Sequence, residues 1–310
     1  MRVLFWGTPE FATPPLRALL GEGFDVCGVV TRPDKPVGRS RSQVVASPVK
    51  QVAMEEGLAV LQPERPRGPE FLERMRELEP EISVVVAYGH ILPREAIDLP
   101  PRGTVNIHAS LLPKHRGAAP IQAAIREGHH ETGVTIMRMV PKMDAGPIIL
   151  QQPTPISDEE TYGELSMQLS ELGALALIEA LTLMDLGAAT ERPQDDAEAT
   201  YAPKIEREDA RIDWTRPGVE VARAIRAFDP KPGAWSPLRD LEVKLFGVRP
   251  AVDTQGPAGQ VMEIGERGAL IACGEGGVRV AYAHPAGKRR LAMLDWAQGR
   301  GIQVGDHFGG

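Results

Sequence analysis

Asn106 and His108 stand two residues apart in TVNIHASLLPKHRGAAPIQ, the run at 104–122. Val105 and Ile107 alternate with them, and a turn rich in proline and glycine follows. Alternate residues of an extended strand share a face. The pattern predicts a strand that turns Asn106 and His108 outward together while Val105 and Ile107 face the core. An amide donor beside an imidazole, which exchanges protons near neutral pH, suits attack on a carbonyl when both sit at a strand's C-terminal end. Further along, Asp144 lies in Met143-Asp144-Ala145-Gly146, a turn between two apolar strands from which a carboxylate can reach back over the sheet edge. Aspartate is common in turns for local reasons alone, so its place in the chemistry rests on the company of the other two. Together the three read as an acyl-transfer site with no protein nucleophile. Neither cysteine has a base partner, and there is no Gly-x-Ser-x-Gly elbow.

Other chemistries find less support. His129 and His130 are adjacent rather than four apart, and no CxxC or HExxH spacing occurs, so no metal is expected. Gly7-Thr8-Pro9-Glu10-Phe11 is not a GxGxxG turn, because Pro9 and Glu10 occupy the place where a pyrophosphate would approach. Hydride transfer is therefore not expected.

The elements that must position the three residues alternate strand and helix. Strands are predicted at 2–6, 24–30, 58–61, 82–87, 133–139 and 148–152, and helices at 10–20, 48–56, 70–78, 119–125 and 161–186. The unbroken apolar run Val84, Val85, Val86, Ala87 reads as a strand buried on both faces, as in a parallel sheet. This predicts a Rossmann-like, doubly wound α/β domain over residues 1–186, with ligands at the C-terminal ends of its strands. Residues 187–205 carry prolines, acids and small residues without apolar periodicity, and read as a linker. Short strands at 234–237, 242–248, 259–264, 269–272 and 277–284, preceded by a helix at 219–228, predict a small C-terminal β-barrel within residues 206–310.

A length of 310 residues suits two domains, and 42% hydrophobic with 25% charged residues argues against disorder. No stretch reaches the roughly 18 consecutive apolar residues of a spanning helix. The first strand starts at Arg2 with no signal peptide ahead of it, so the expected setting is cytoplasmic. Cys27 and Cys273 lie in apolar strand-like runs and read as buried thiols. A net charge of −7 means that any polyanion must be met by local patches. One such patch is the connection at 32–50, where Arg32, Lys35, Arg39, Arg41 and Lys50 oppose Asp34 alone. Glycine and serines make it polar and flexible, and the roughly 17 residues between the strand ending at 30 and the helix starting at 48 are long for a compact α/β connection.

NIHASLLPKHRGAAPIQAAI, ETGVTIMRM at 131–139 and MDAG at 143–146 resemble the formyltetrahydrofolate-dependent formyltransferases. The likeness extends through GTPEFA, TRPDKPVGR, SPVK and VVVAYGHILP to TYAPKIEREDARIDW and PAGKR beyond the linker. SPVK, GAAPIQ and ARIDW point to the branch whose acceptor is methionine esterified to initiator tRNA. The resemblance implies that N10-formyltetrahydrofolate is the formyl donor and initiator methionyl-tRNA the acceptor. It gives Asn106 the oxyanion, His108 the role of general base or proton shuttle, and Asp144 either the orientation of His108 or the holding of a water. Ser110, Leu111, Leu112 and Pro113 would form the folate-contacting turn, with Val86, Ala87, Tyr88 and Gly89 as another wall. Lys35, Arg39, Arg41, the linker's Lys204, and Lys288 and Arg289 of an oligonucleotide-binding-like barrel would meet the tRNA; the barrel's Arg207, Arg211, Lys244 and Arg290 offer further cations. A monomer without membrane attachment is expected. The rival readings are a formyltransferase acting on an amino sugar nucleotide and a non-catalytic tRNA-binding protein.

Overall fold

The computed structural model describes residues 1–37 and 43–309, so Arg39 and Arg41 lie outside the described residues. The chain forms two compact units. One comprises Met1–Gly117, Thr132–Thr154 and Ser166–Tyr201, and the other Ala118–Glu131, Pro155–Leu165 and Ala202–Gly310.

The first unit is built on a seven-stranded sheet in the order Ile148–Pro155, Glu131–Arg138, Thr104–His108, Ile82–Val86, Arg2–Gly7, Asp25–Val30, Val60–Leu61. The last five run parallel, and Glu131–Arg138 lies antiparallel to Thr104–His108. All five residues of Ile82–Val86 are buried, as a strand covered on both faces requires. The helices Thr13–Gly21, Pro48–Glu55 and Pro69–Glu77 each carry proline in the first turn, where a backbone N–H would have no intrahelical partner. Ser47 caps the second of these, its Oγ accepting from Lys50 N at 3.2 Å.

The 24-residue helix Tyr162–Asp185 is long and apolar enough by length and composition to cross a bilayer, though Glu171 and Glu179 interrupt its apolar run well short of 18 residues. Half of its most apolar stretch is buried within the protein, as in a core helix. Gly173 lets it close on the sheet: a Cβ there would stand 3.0 Å from Ile107 Cγ2, beneath the strand that bears Asn106 and His108.

The second unit holds an antiparallel sheet in the order Ala234–Leu238, Leu241–Ala251, Gly277–Pro285, Gly268–Ala272, Val261–Gly265, with Leu291–Ala292 paired to Gly277–Pro285. The C-terminal residues close it into a barrel. Phe308 bridges Leu238 at one edge, His307 bridges Gln260 at the other, and Gly309 N donates to Pro237 O at 2.9 Å. Trp214, Phe228, Trp296 and Phe308 fill the interior with the inward residues of every strand.

Candidate active site

His108 is on the predicted face of its strand but is only 6% exposed, so it does not look out to solvent. The chain turns back after the strand, and His115 covers the ring: His108 Nε2 lies 2.9 Å from the His115 carbonyl oxygen. A carbonyl only accepts, so Nε2 carries a proton and the lone pair of the neutral ring is on Nδ1. Nδ1 lies 3.7 Å from Asp144 Oδ2. The same carboxylate oxygen accepts from Gly117 N at 2.8 Å. Asp144 adopts a left-handed backbone, with φ of 49°, which aspartate tolerates better than most residues. Asn106, half-buried, precedes His108 on the same face, opposite Val85 on one neighbouring strand and Met137 on the other. His108 and Asp144 are thus brought together at the rim of the sheet, and Asn106 shares the His108 face of the strand.

Ser110, Leu111, Leu112 and Pro113 form a turn pinned from beneath. Thr135 Oγ1 donates to Ser110 O at 2.7 Å and accepts from Leu112 N at 3.1 Å, while Gln151 donates to Leu112 O at 2.9 Å. Ser110 and Leu112 are buried, so Leu111 and Pro113 supply the turn's surface. The parallel neighbour Ile82–Val86 exits beside it. Val86 and Tyr88 point into the core, Tyr88 edge-on to Trp6 at 5.2 Å, and leave Ala87 and Gly89 exposed. Positive φ at both Ala87 and Gly89 gives this exit its sharp path. Tyr88 Oη and Arg32 Nε are buried without a hydrogen-bond partner among the described residues. Burial pushes the Tyr88 hydroxyl up to about 12, so it is a neutral donor. Burial, then Arg32 and Lys35, lowers the His90 imidazole.

Residues 1–181 match the formyl transferase family and residues 204–301 its C-terminal domain. The chain belongs to the formyl transferase family. The methionyl-tRNA formyltransferase of Methylococcus capsulatus is 45% identical over 96% of both chains. That of Moorella thermoacetica is 44% identical over 100% of this chain and 99% of its own. Among solved structures, HypX from Aquifex aeolicus in complex with tetrahydrofolic acid superposes with a TM-score of 0.67 at 21% identity, covering 98% of this chain and 48% of that one. The likeness to HypX is one of fold, and this chain spans about half its length.

In this formyltransferase the described part of the basic loop includes a short pair of strands. Lys35–Val37 pairs antiparallel with Gln43–Val45, so Lys35 is carried on one strand of a short hairpin. Lys50 is engaged by Asp34, whose carboxyl is held low by Lys50 and by Gln62, leaving Lys35 exposed. In the second unit Lys288 and Arg289 are exposed with no ion-pair partner among the described residues. Lys204 pairs with Glu206 at 3.0 Å. Arg207 and Arg211 lie over the Trp235 ring at 4.8 and 5.6 Å, Arg290 lies over Phe246 at 4.3 Å, and Lys244 donates to Pro232 O at 2.7 Å. Cys273 is buried as expected, whereas Cys27 is half-buried and donates to Val3 O at 3.3 Å. Sequence reasoning missed the carbonyl of His115, the N–H of Gly117, and the side chains of Arg116 and Gln194. Only GAAPIQ and the proline-rich 187–204 stretch drew attention to their neighbourhood.

Proposed function

We propose that this formyltransferase moves the formyl group of N10-formyltetrahydrofolate to the amino group of methionine on initiator tRNA, in the cytoplasm where that acceptor is used. One observation carries the chemistry: His108 Nδ1 faces Asp144 Oδ2 at 3.7 Å, while Nε2 is occupied by the His115 carbonyl. The acceptor is supported by relatives 44–45% identical over nearly the whole chain, whose names specify it. An amino sugar nucleotide is the less supported acceptor.

The methionine nitrogen attacks the formyl carbon and forms the new C–N bond. The Asn106 amide donates to the oxygen on which negative charge develops. His108 Nδ1 takes the proton released by the attacking nitrogen, and the adjacent Asp144 carboxylate stabilises the imidazolium that results. Cleavage of the bond between formyl carbon and N10 follows, with the proton passing to N10, so that tetrahydrofolate leaves neutral at that atom. Leu111, Pro113, Ala87 and Gly89 offer the donor its apolar walls, and the Ser110 and Leu112 backbones shape the turn. Lys35, Arg39, Arg41, Lys204, Lys288 and Arg289 would meet tRNA phosphates.

The test is formyl transfer from N10-formyltetrahydrofolate to charged initiator tRNA, with charged elongator tRNA and an amino sugar nucleotide as comparison acceptors. Asn106→Ala should lower turnover by roughly 100- to 1000-fold, and His108→Ala and Asp144→Ala should abolish most of it in folded protein. Near-normal turnover by folded His108→Ala refutes the assignment of the base.

A further inference from the structure

The turn that carries Asp144 is gripped from a distance. Gln194 Nε2 donates to Asp144 O and to Gly146 O, each at 2.8 Å. Its Oε1 accepts two bonds in return, from Arg116 Nε at 3.0 Å and Arg116 Nη2 at 2.8 Å. The amide therefore uses both N–H groups and both lone pairs, and its orientation is settled because a guanidinium can only donate. Arg116 is fully buried, and its remaining arm donates to Asp196 Oδ1 at 2.8 Å. Asp196 is also paired with Lys142, just ahead of the turn. The backbone beside Arg116 completes the grip. Gly117 N holds the Asp144 carboxylate, Arg116 N donates to Thr200 O at 2.9 Å, and His115 N donates to Thr200 Oγ1 at 2.8 Å.

Asp144 thus has its carboxylate fixed by Gly117 and its carbonyl fixed by Gln194, while a left-handed φ would otherwise let the turn relax. The His115 carbonyl that orients His108 is steadied by the same segment through Thr200. Apart from Gly117 N, these anchors come from residues 194–200, a stretch without regular apolar pattern.

We propose that Gln194 is a positioning residue for the transfer reaction, holding the Asp144 carboxylate at His108 Nδ1 through its paired bonds to Asp144 O and Gly146 O. This rests on the reading of Asp144 as the partner of His108. Gln194 touches neither reacting group, and its contribution is to turnover rather than to substrate affinity.

The test measures kcat and both KM values for Gln194→Met, which keeps the length and removes all four bonds, and for Gln194→Glu, which keeps the acceptor for Arg116 and removes only the donors. Both should fold, lower kcat by roughly 10- to 100-fold, and leave KM for donor and acceptor within about twofold. In an Asp144→Asn background, Gln194→Met should cost no more than about a further twofold, because the group it positions is already disabled. Wild-type kcat in folded Gln194→Met or Gln194→Glu overturns the proposal, and so does a full, independent loss in the Asp144→Asn background. Failure of the underlying reading looks different, since Asp144→Asn alone would then retain wild-type turnover. If Gln194→Met does not fold, Gln194→Glu and its combination with Asp144→Asn carry the same comparison.

Discussion

Gly146→Ala should disable the enzyme without touching any group in the reaction. A Cβ at Gly146 would stand 1.8 Å from the Arg138 carbonyl oxygen and 2.8 Å from its carbonyl carbon. Carbon and carbonyl oxygen approach to about 3.3 Å, so turn and strand must part by roughly 1.5 Å. The obstacle is backbone at the end of a sheet strand, which cannot swing aside as a side-chain tip would. The displacement therefore falls on the turn, two residues from Asp144. It is large enough to break the 2.8 Å bond from Gly117 N and both bonds from Gln194. Misplacement by about 1 Å typically costs roughly 100-fold in rate, and overpacking costs about 1–3 kcal/mol of stability. At about 2–4 °C per kcal/mol for domains of this size, Tm should fall by several degrees while the protein stays folded at 25 °C. Steady-state formylation of charged initiator tRNA should then show kcat down about 100-fold with KM for the folate donor changed little. Gly21→Ala is the control, because Gly21 has nothing within 4 Å of the added carbon and lies far along the chain from the site. Folded Gly146→Ala with kcat within about threefold of the parent refutes the claim that this turn must be held in place.

Three more outcomes follow from the structure. Burial pushes the Cys27 thiol up to about 11 and the Cys273 thiol to about 12, so a thiol reagent at pH 8 should label the native protein slowly and the unfolded protein at both sites. Comparable rates in the two states refute this. Lys142, then Arg116, holds the Asp196 carboxyl below its ordinary value, so its contribution to stability is present above about pH 4 and is lost as pH falls through the lowered value. The Tm difference between the parent and Asp196→Asn should accordingly be full at pH 6 and shrink in stronger acid; a difference that grows on acidification contradicts the assignment. Lys288→Ala with Arg289→Ala should raise KM for tRNA and reduce the slope of log KM against log salt by about two, with KM for the donor unchanged, and an unaltered slope removes these two cations from the interface.

Local pattern carried much of the fold. The helix expected at 70–78 is Pro69–Glu77, and the strand expected at 277–284 is Gly277–Pro285, because burial of one face leaves its period in the sequence. Closure of the barrel left no such trace, since it depends on Phe308 reaching Leu238 from a glycine-rich end. The hairpin beneath the basic loop was equally silent, because its pairing is backbone to backbone. At the site, Asn106 and His108 stood out by residue type at a strand end, whereas Asp144, an ordinary turn residue, stood out only by their company. Arg116, Gln194 and Thr200 were not legible, because each acts through bonds to residues 48 to 85 positions away. Which imidazole nitrogen bears the proton likewise depends on a carbonyl, and every residue has one.

The chain enters its second unit three times, and one of those passages begins immediately after Gly117, which holds Asp144. The helix Pro120–Glu127 made on that passage lies against Gly218–Ala227 and buries Ile121, Ala124 and Ile125. A gene chimaera joined at a single crossover near residue 203 would pair this helix with a foreign partner. Exchange of the second unit between relatives therefore needs three coordinated exchanges, one of them between His108 and Asp144. Inheritance of the two halves is linked by the path of the chain, and changes in one must be tolerated by codons that lie inside the other.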